Sequence, residues 1–124
     1  MKKLIFIFSL VIMTQLAFSQ TAVTFTDAGQ GYNKNATTIF HFSVDNSISQ
    51  QTLAGYPAVL ENCFAITITD NGNGHDLTLA LVEDNHSNRL TVMRYFMIIG
   101  VAEISADGSN HILEDFISTY VVDL

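Results

Sequence analysis

FAITITDNGNGHDLTLALVE, residues 64–83, is the stretch that decides the fold of this chain of 124 residues. Apolar side chains alternate with Thr and Ala on both arms, at Phe64, Ile66 and Ile68 and then at Leu77, Leu79 and Leu81. Asn and Gly, which tolerate the positive φ of tight turns, join the arms at 70–75. The pattern predicts a β-hairpin with one buried face, which other segments must cover.

The first nineteen residues have the three parts of a secretory signal peptide. Lys2 and Lys3 give a positive start, residues 4–13 are almost entirely apolar, and small residues stand at the spacing that a signal peptidase reads. The apolar run is shorter than the roughly 20 residues that a membrane span requires. We therefore expect cleavage after Ser19, no membrane anchor afterwards, and a periplasmic or secreted mature chain. A retained N-terminal anchor is the alternative.

The charge balance excludes two classes of partner. The chain has 5 Lys and Arg against 12 Asp and Glu, a net charge of −7 with neutral histidines. Once the signal is removed, the remaining cations are Lys34, Arg89 and Arg94. Binding to nucleic acid or to an anionic membrane depends on Lys and Arg side chains that neutralise phosphates. We expect neither partner, and we interpret the acids as a solvated surface.

The single cysteine, Cys63, limits how the mature chain is stabilised. One cysteine cannot form an internal disulfide, so about 105 residues must fold as one domain through packing. Cys63 directly precedes the hairpin, where a small apolar residue fits. We interpret it as a buried, unreactive thiol, with an intermolecular disulfide or a reactive thiol as the alternative.

The segment before the hairpin predicts a leader, a strand and a broken helix. Residues 20–36 are rich in Thr, Gly and Asn and lack periodicity, which indicates a poorly ordered leader; an edge strand at 21–26 is the alternative. Residues 37–44 alternate and predict the first strand. Asp45-Asn46-Ser47 then supplies capping residues for an apolar helical pattern. We expect this helix to end near Gly55 and a second turn to start at Pro57.

The segment after the hairpin predicts a helix, a strand and a final helix. Residues 89–99 carry an apolar stripe, and Gly100 follows where a helix C-terminal cap belongs. Residues 101–106 alternate and end in the turn residues Asp107-Gly108. Ser109 or Asn110 then caps the last helix. Its wide apolar stripe consists of Ile112, Leu113, Phe116, Ile117, Tyr120 and Val121.

The order strand, helix, strand, strand, helix, strand predicts an α+β fold of the ferredoxin-like type. Two split βαβ units in this order, βαββαβ, give a four-stranded antiparallel sheet with both helices on one face. We expect residues 37–124 to form this single domain, with the C-terminal helix added to it. We expect that helix to pack within the chain; a homo-oligomer formed through its apolar stripe is the alternative.

Residues 37–107 resemble a degenerate member of the heavy-metal-associated domain family, which has the copper-chaperone-like fold. The likeness lies in the order of elements, the length, and the passage from second helix into last strand, Ile99-Gly100-Val101-Ala102-Glu103-Ile104. In that family, two cysteines spaced Cys-x-x-Cys bind metal in the loop after the first strand. That loop here reads Asp45-Asn46-Ser47-Ile48-Ser49, and hydroxyls and amides do not replace thiolates as ligands of Cu(I). The resemblance implies the fold without the metal site.

The histidines offer little for a metal site. No His-x-His or His-x-x-x-His pair occurs among the four, His41, His75, His86 and His111. His75 and Asp76 are the one candidate pair, and solvated turn residues are the simpler interpretation.

Other motifs for chemistry are also missing from the sequence. The turn at 70–74 is no calcium loop, because Gly72 and Gly74 occupy ligand positions. No Gly-x-Ser-x-Gly occurs, and the adjacent acids at 83–84 and 114–115 point in different directions on a strand or helix. We therefore assign no catalytic, cofactor-binding or metal-ligating residue and expect no cofactor.

These observations predict a small exported, non-catalytic domain, related to metal-chaperone modules but without their ligands. It would act by protein contact or as a structural accessory, with an envelope or secreted protein as its partner. The alternative function is metal binding through His and Asp ligands in place of thiolates.

Overall fold

The computed structural model describes residues 21–124, so the signal peptide predicted at 1–19 lies outside the described residues. Six strands are present: β1 (Val23–Phe25), β2 (Ile39–Asp45), β3 (Phe64–Asp70), β4 (Gly74–Leu81), β5 (Glu103–Ala106) and β6 (Ser109–Ile112). The helices are α1 (Gln50–Leu53), α2 (His86–Ile98) and α3 (Leu113–Tyr120), with a 3-10 helix at Ala58–Asn62. Within 21–124, no helix combines the length and the apolar character that a membrane crossing requires.

All six strands belong to one mixed sheet in the order β3-β4-β2-β1-β5-β6. Only β1 and β5 are parallel, and the other neighbours are antiparallel. The predicted α+β class and the β3–β4 hairpin are confirmed. The predicted four-stranded antiparallel sheet is corrected, because the sheet has more strands than expected and one parallel pair.

One added strand, β1, comes from residues predicted to be a poorly ordered leader, with an edge strand at 21–26 as the alternative. It lies inside the sheet: Thr24 pairs with Ser43 of β2 on one side and with Ser105 of β5 on the other. Val23 and Phe25 are buried while Thr24 is exposed. Three residues are too few for an alternating pattern to be recognised, and the stabilising partners lie far away in the sequence.

The other added strand, β6, replaces the predicted start of the last helix. Asp107 and Gly108 both have positive φ, 52° and 79°, which is the geometry of a tight hairpin turn. The chain therefore returns alongside β5, and Ala106 pairs with Ser109. The helix begins at Leu113 rather than after Ser109 or Asn110.

The remaining helical predictions agree with the structure in outline. The cap of α1 is Ser49 rather than the predicted residues 45–47, and its hydroxyl accepts from the backbone N–H of Thr52 at 3.1 Å. The 3-10 helix follows Pro57, where we predict a second turn. Asn85 caps α2, and Gly100 has the positive φ of 83° that a C-terminal cap residue adopts.

Both long helices pack on the same face of the sheet. The ring of Phe42 lies 4.9 Å from that of Phe96 on α2, and the ring of Phe25 lies 5.2 Å from that of Phe116 on α3. Phe116, Ile117 and Val121 are completely buried. The apolar stripe of α3 therefore faces the chain's own core, and we do not propose oligomerisation through it.

Arg89, in the first turn of α2, is a buried cation that joins three parts of the chain. Its Nε and Nη2 atoms donate to the two carboxylate oxygens of Asp84 at 2.6 and 3.2 Å. Nη1 donates to the carbonyls of Lys34 and Val121, and Nη2 donates to the carbonyl of Thr37 at 2.7 Å. The guanidinium thereby links the segment before β2 to the end of α3.

The C-terminal end of α3 is capped by side chains from elsewhere in the chain. The last carbonyls of a helix have no partner within it. Here the Tyr32 hydroxyl donates to the carbonyl of Tyr120, the Lys34 ammonium donates to that of Ser118, and Arg89 donates to that of Val121. Two of these donors are cations, which the negative end of a helix dipole favours.

We expect Arg89→Met to lower the free energy of unfolding by about 3 kcal/mol, because it leaves buried carbonyls without a donor. Arg94→Met is the matched control on the exposed side of the same helix, and it should change stability by less than about 0.5 kcal/mol. Urea denaturation of both variants measures the difference. Equal effects of the two substitutions would contradict a bridging role for Arg89.

The ion pair between Asp84 and Arg89 should stabilise the folded chain less in acid than at neutral pH. The hydrogen bond from Arg89 holds the pKa of Asp84 below that of an ordinary aspartate. A carboxylate with a depressed pKa stabilises the folded state above the unfolded pKa, and this contribution is lost as the pH falls through the folded pKa. The stability advantage of the wild type over Asp84→Asn should therefore shrink as the pH is lowered past about 4.

Urea midpoints measured over a pH series test this expectation, with Asp115→Asn on the exposed side of α3 as the control. A constant difference between the wild type and Asp84→Asn at every pH would show that the ion pair does not couple folding to protonation.

Candidate interaction surface

The structure separates His75 from Asp76, the one candidate metal pair. Both lie on β4, and neighbouring residues of a strand point to opposite faces of the sheet. Asp76 pairs with Ser43 and Thr69 on the face without helices, where its carboxylate accepts from the Asn71 side-chain amide at 2.9 Å. The two side chains therefore cannot bind one ion together.

His41, His75 and His111 lie apart from one another as well. His75 and His111 share a row on the helix-covered face, but β2, β1 and β5 lie between their strands, so about 19 Å separates their backbones. On the open face, Nδ1 of His41 lies 3.0 Å from the carboxylate of Asp27. Within residues 21–124, no three His, Cys, Asp or Glu side chains come together in a metal-binding group. The metal-binding alternative gains no support from this arrangement.

The loops that we considered as binding sites use their polar side chains to form turns. In the β3–β4 turn, the carboxylate of Asp70 accepts from the N–H of Gly72 at 2.8 Å. After β2, where the heavy-metal-associated family carries its cysteines, Asp45 accepts from the N–H of Ser47 at 2.9 Å. Both carboxylates thus stabilise the turns in which they lie by accepting hydrogen bonds from nearby backbone N–H groups.

A 510 Å³ cavity lies beside the start of β1 and β5. Its lining consists of Thr21, Ala22, Ile48, Gly100, Val101, Ala102, Glu103 and Asn110. Glu103 is the single ionisable side chain in this lining. Without a second acid or base, the cavity lacks a pair of groups for proton transfer.

The β3 strand forms one edge of the sheet and exposes half of its backbone hydrogen-bonding groups. The ladder to β4 begins where the Cys63 carbonyl accepts from Val82 N–H at 3.0 Å. It ends where Asn71 N–H donates to the Gly74 carbonyl at 3.1 Å. In an antiparallel ladder, alternate residues point their N–H and C=O toward the partner strand. Odd-numbered residues therefore bond to β4, and the N–H and C=O groups of Phe64, Ile66 and Ile68 point away from it.

Within residues 21–124, neither a Lys, a Pro nor a bulge protects this edge. Proteins block exposed edges with Lys, Pro, bulges or short strands. Seven consecutive residues of β3 pair with β4 without a bulge, and the only charged residue, Asp70, stands at the end. Within the described part of the chain, β3 has a neighbouring strand on one side only. The opposite edge, β6, has four residues and runs directly into α3.

The side chains of β3 also indicate that the helices cover this edge of the sheet incompletely. Phe64 is completely buried beneath the helices, whereas Ile66 and Ile68 on the same face are half-buried. Thr67 and Thr69 are exposed on the open face. A further strand beside β3 would shield both isoleucines and would satisfy the outward backbone groups.

Reasoning from the sequence found β3 but not its place at the edge. The alternation of apolar residues and Thr predicts a strand with one buried face, and it does so equally for an edge strand and an interior strand. The absence of Lys and Pro along 64–70 does not distinguish an edge strand from an interior strand, because interior strands lack these residues too.

We found no protein-family model, no curated protein and no solved structure that this chain matches.

Backbone hydrogen exchange should alternate along β3. In dilute solution, we expect the amide protons of Ile66 and Ile68 to exchange nearly as fast as those of an unstructured peptide. The amide protons of Thr67 and Thr69, which bond to β4, should be strongly protected. Residue-resolved NMR exchange rates measure this. Equal protection of all four amides in the monomer would show that the edge is already covered.

Proposed function

We propose that this chain is a small exported, non-catalytic domain that acts by protein contact, and that the contact adds a strand beside β3. The observation that carries this proposal is the row of outward N–H and C=O groups on Phe64, Ile66 and Ile68. Extended segments bind to sheet edges of this kind through main-chain hydrogen bonds, while alternate side chains provide selectivity.

The chemistry of β3 fits this role better than catalysis. Threonine and alanine side chains on its open face are short and lose little conformational entropy when a partner covers them. The half-buried Ile66 and Ile68 provide apolar contacts on the other face. By contrast, the cavity beside the start of β1 and β5 has one ionisable side chain, Glu103. In a second cavity, lined by Asp84, His86 and Asp123, both carboxylates pair with cations of the chain itself. Neither arrangement favours catalysis.

We also propose that the sheet is a ferredoxin-like arrangement with additional strands. If β1 and β6 are set aside, the remaining strands follow the order β3-β4-β2-β5 and alternate in direction. Two split βαβ units produce this order. The relation to the heavy-metal-associated family and the periplasmic or secreted location stay predictions.

Site-specific photo-crosslinking in the producing cell tests the proposed contact. A photoreactive amino acid at Thr67, exposed at the middle of β3, should give a discrete crosslinked product. The same amino acid at Thr119, exposed on α3, is the matched control and should give no such product. Illumination followed by mass analysis provides the readout. The absence of any product specific to position 67 would contradict contact through this edge.

A further inference from the structure

We infer that the strand added beside β3 is the β3 strand of a second copy of this chain, so that two sheets join edge to edge as a symmetric dimer. This inference rests on the proposed function, because it names the partner of the same edge. The two copies would be related by a two-fold axis, and each would present the same surface to the other.

The geometry of β3 selects one register for this pairing. Antiparallel strands form hydrogen-bonded pairs between residues whose N–H and C=O groups point toward each other. The outward groups belong to even-numbered residues, so Ile66 pairs with Ile68 of the second copy, and Phe64 pairs with Asp70. The two-fold axis then passes beside Thr67, the midpoint of Phe64–Asp70, and every residue of the strand is paired.

The side chains are self-complementary in this register. Thr67 faces Thr67 of the second copy at a position without inter-strand hydrogen bonds, where opposite side chains are closest. Ala65 faces Thr69 on the same side of the sheet. On the other side, the half-buried Ile66 and Ile68 of both copies form one apolar group. Thr–Thr pairs and β-branched pairs are both favourable across antiparallel strands.

Charge favours a contact between two copies at this edge over other parts of the surface. The chain has a net charge of −7, so two copies repel each other over most of their surface. Residues 64–69 contain no charged side chain. In the register centred on Thr67, the two Asp70 carboxylates lie at opposite ends of the pairing, about 20 Å apart. That distance exceeds the screening length of about 8 Å at physiological ionic strength.

Two exposed valines lie near the start of β3, although Val82 is on the β4 side of it. Val59 lies in the 3-10 helix before β3, and Val82 donates its N–H to the carbonyl of Cys63 at the start of β3. Both are 63 % exposed. A single strand pairing buries less than the roughly 1,000 Å² of a stable interface, so the dimer should form in a concentration-dependent manner.

Charge exchange at Thr67 tests the inference. Thr67→Lys and Thr67→Asp each place two like charges opposite each other in a symmetric dimer, and each should lower the association constant about fivefold or more. An equimolar mixture of the two variants should restore association, because opposite charges then face each other. Thr67→Ser is the control and should dimerise like the wild type. Sedimentation equilibrium of the purified chain over a range of concentrations provides the measurement.

Ile66→Pro provides a second, stronger variant. Proline removes an N–H that points away from β4, so the β3–β4 ladder keeps its hydrogen bonds while the edge is blocked. We expect this variant to be monomeric. Thermal unfolding of each variant separates loss of association from loss of folding. If Ile66→Pro does not fold, the Thr67 variants, which change an exposed side chain, decide the outcome.

Two results would overturn the inference. One is a wild-type chain that stays monomeric at the highest attainable concentration. The other is a dimer whose association constant is unchanged in Thr67→Lys and is not enhanced in the charge-exchanged mixture. The photo-crosslinking experiment separates this failure from failure of the proposed function. A product at position 67 with a mass other than twice that of the chain would retain strand addition and exclude the second copy as its partner.

Discussion

The buried guanidinium of Arg89 is the interaction on which the rest of the structure depends. A cation in the first turn of a helix faces the positive end of the helix dipole, so the position is unfavourable by itself. Asp84 and the carbonyls of Lys34, Thr37 and Val121 offset this cost. Two of the three cations beyond the predicted signal peptide, Lys34 and Arg89, hold the end of α3 in this way. The scarcity of positive charge is therefore compatible with stability because most of it lies where it joins separate segments.

The sequence predicted the local elements well and the long-range pairings poorly. The β3–β4 hairpin and α2 are long enough to show their periodicity, and Pro57 and Gly100 mark boundaries through their own backbone restrictions. By contrast, β1 is three residues long and acquires its identity from β2 and β5. Asp107-Gly108 was recognised as a turn, but the strand that follows it has little apolar alternation. The candidate edge was predicted as a strand, whereas its lack of a second neighbour is a property of the whole sheet.

The sheet divides the molecule into a covered face and an open face, and the difference follows from side-chain size. Aromatic rings of β1, β2 and β3 meet the helices on one side. On the other side, a row of polar residues crosses the sheet: Thr69, Asp76, Ser43, Thr24, Ser105 and Asn110. Water satisfies such side chains, so this face does not require a partner. The outward N–H and C=O groups of β3, next to two half-buried isoleucines, form the part of the surface where binding of another strand would add the most hydrogen bonds and apolar contact.

The position of β1 has a consequence for the time at which the chain can fold. Ribosomes deliver β1 early, but its parallel partner β5 is more than seventy residues further along, and the α3 carbonyls that receive Tyr32, Lys34 and Arg89 come later still. Closing so long a loop is entropically costly and slows folding. The N-terminal strand β1 can therefore form its parallel pairing only after the last part of the polypeptide has been synthesised. A nascent chain of this design cannot complete its sheet until its synthesis is nearly finished.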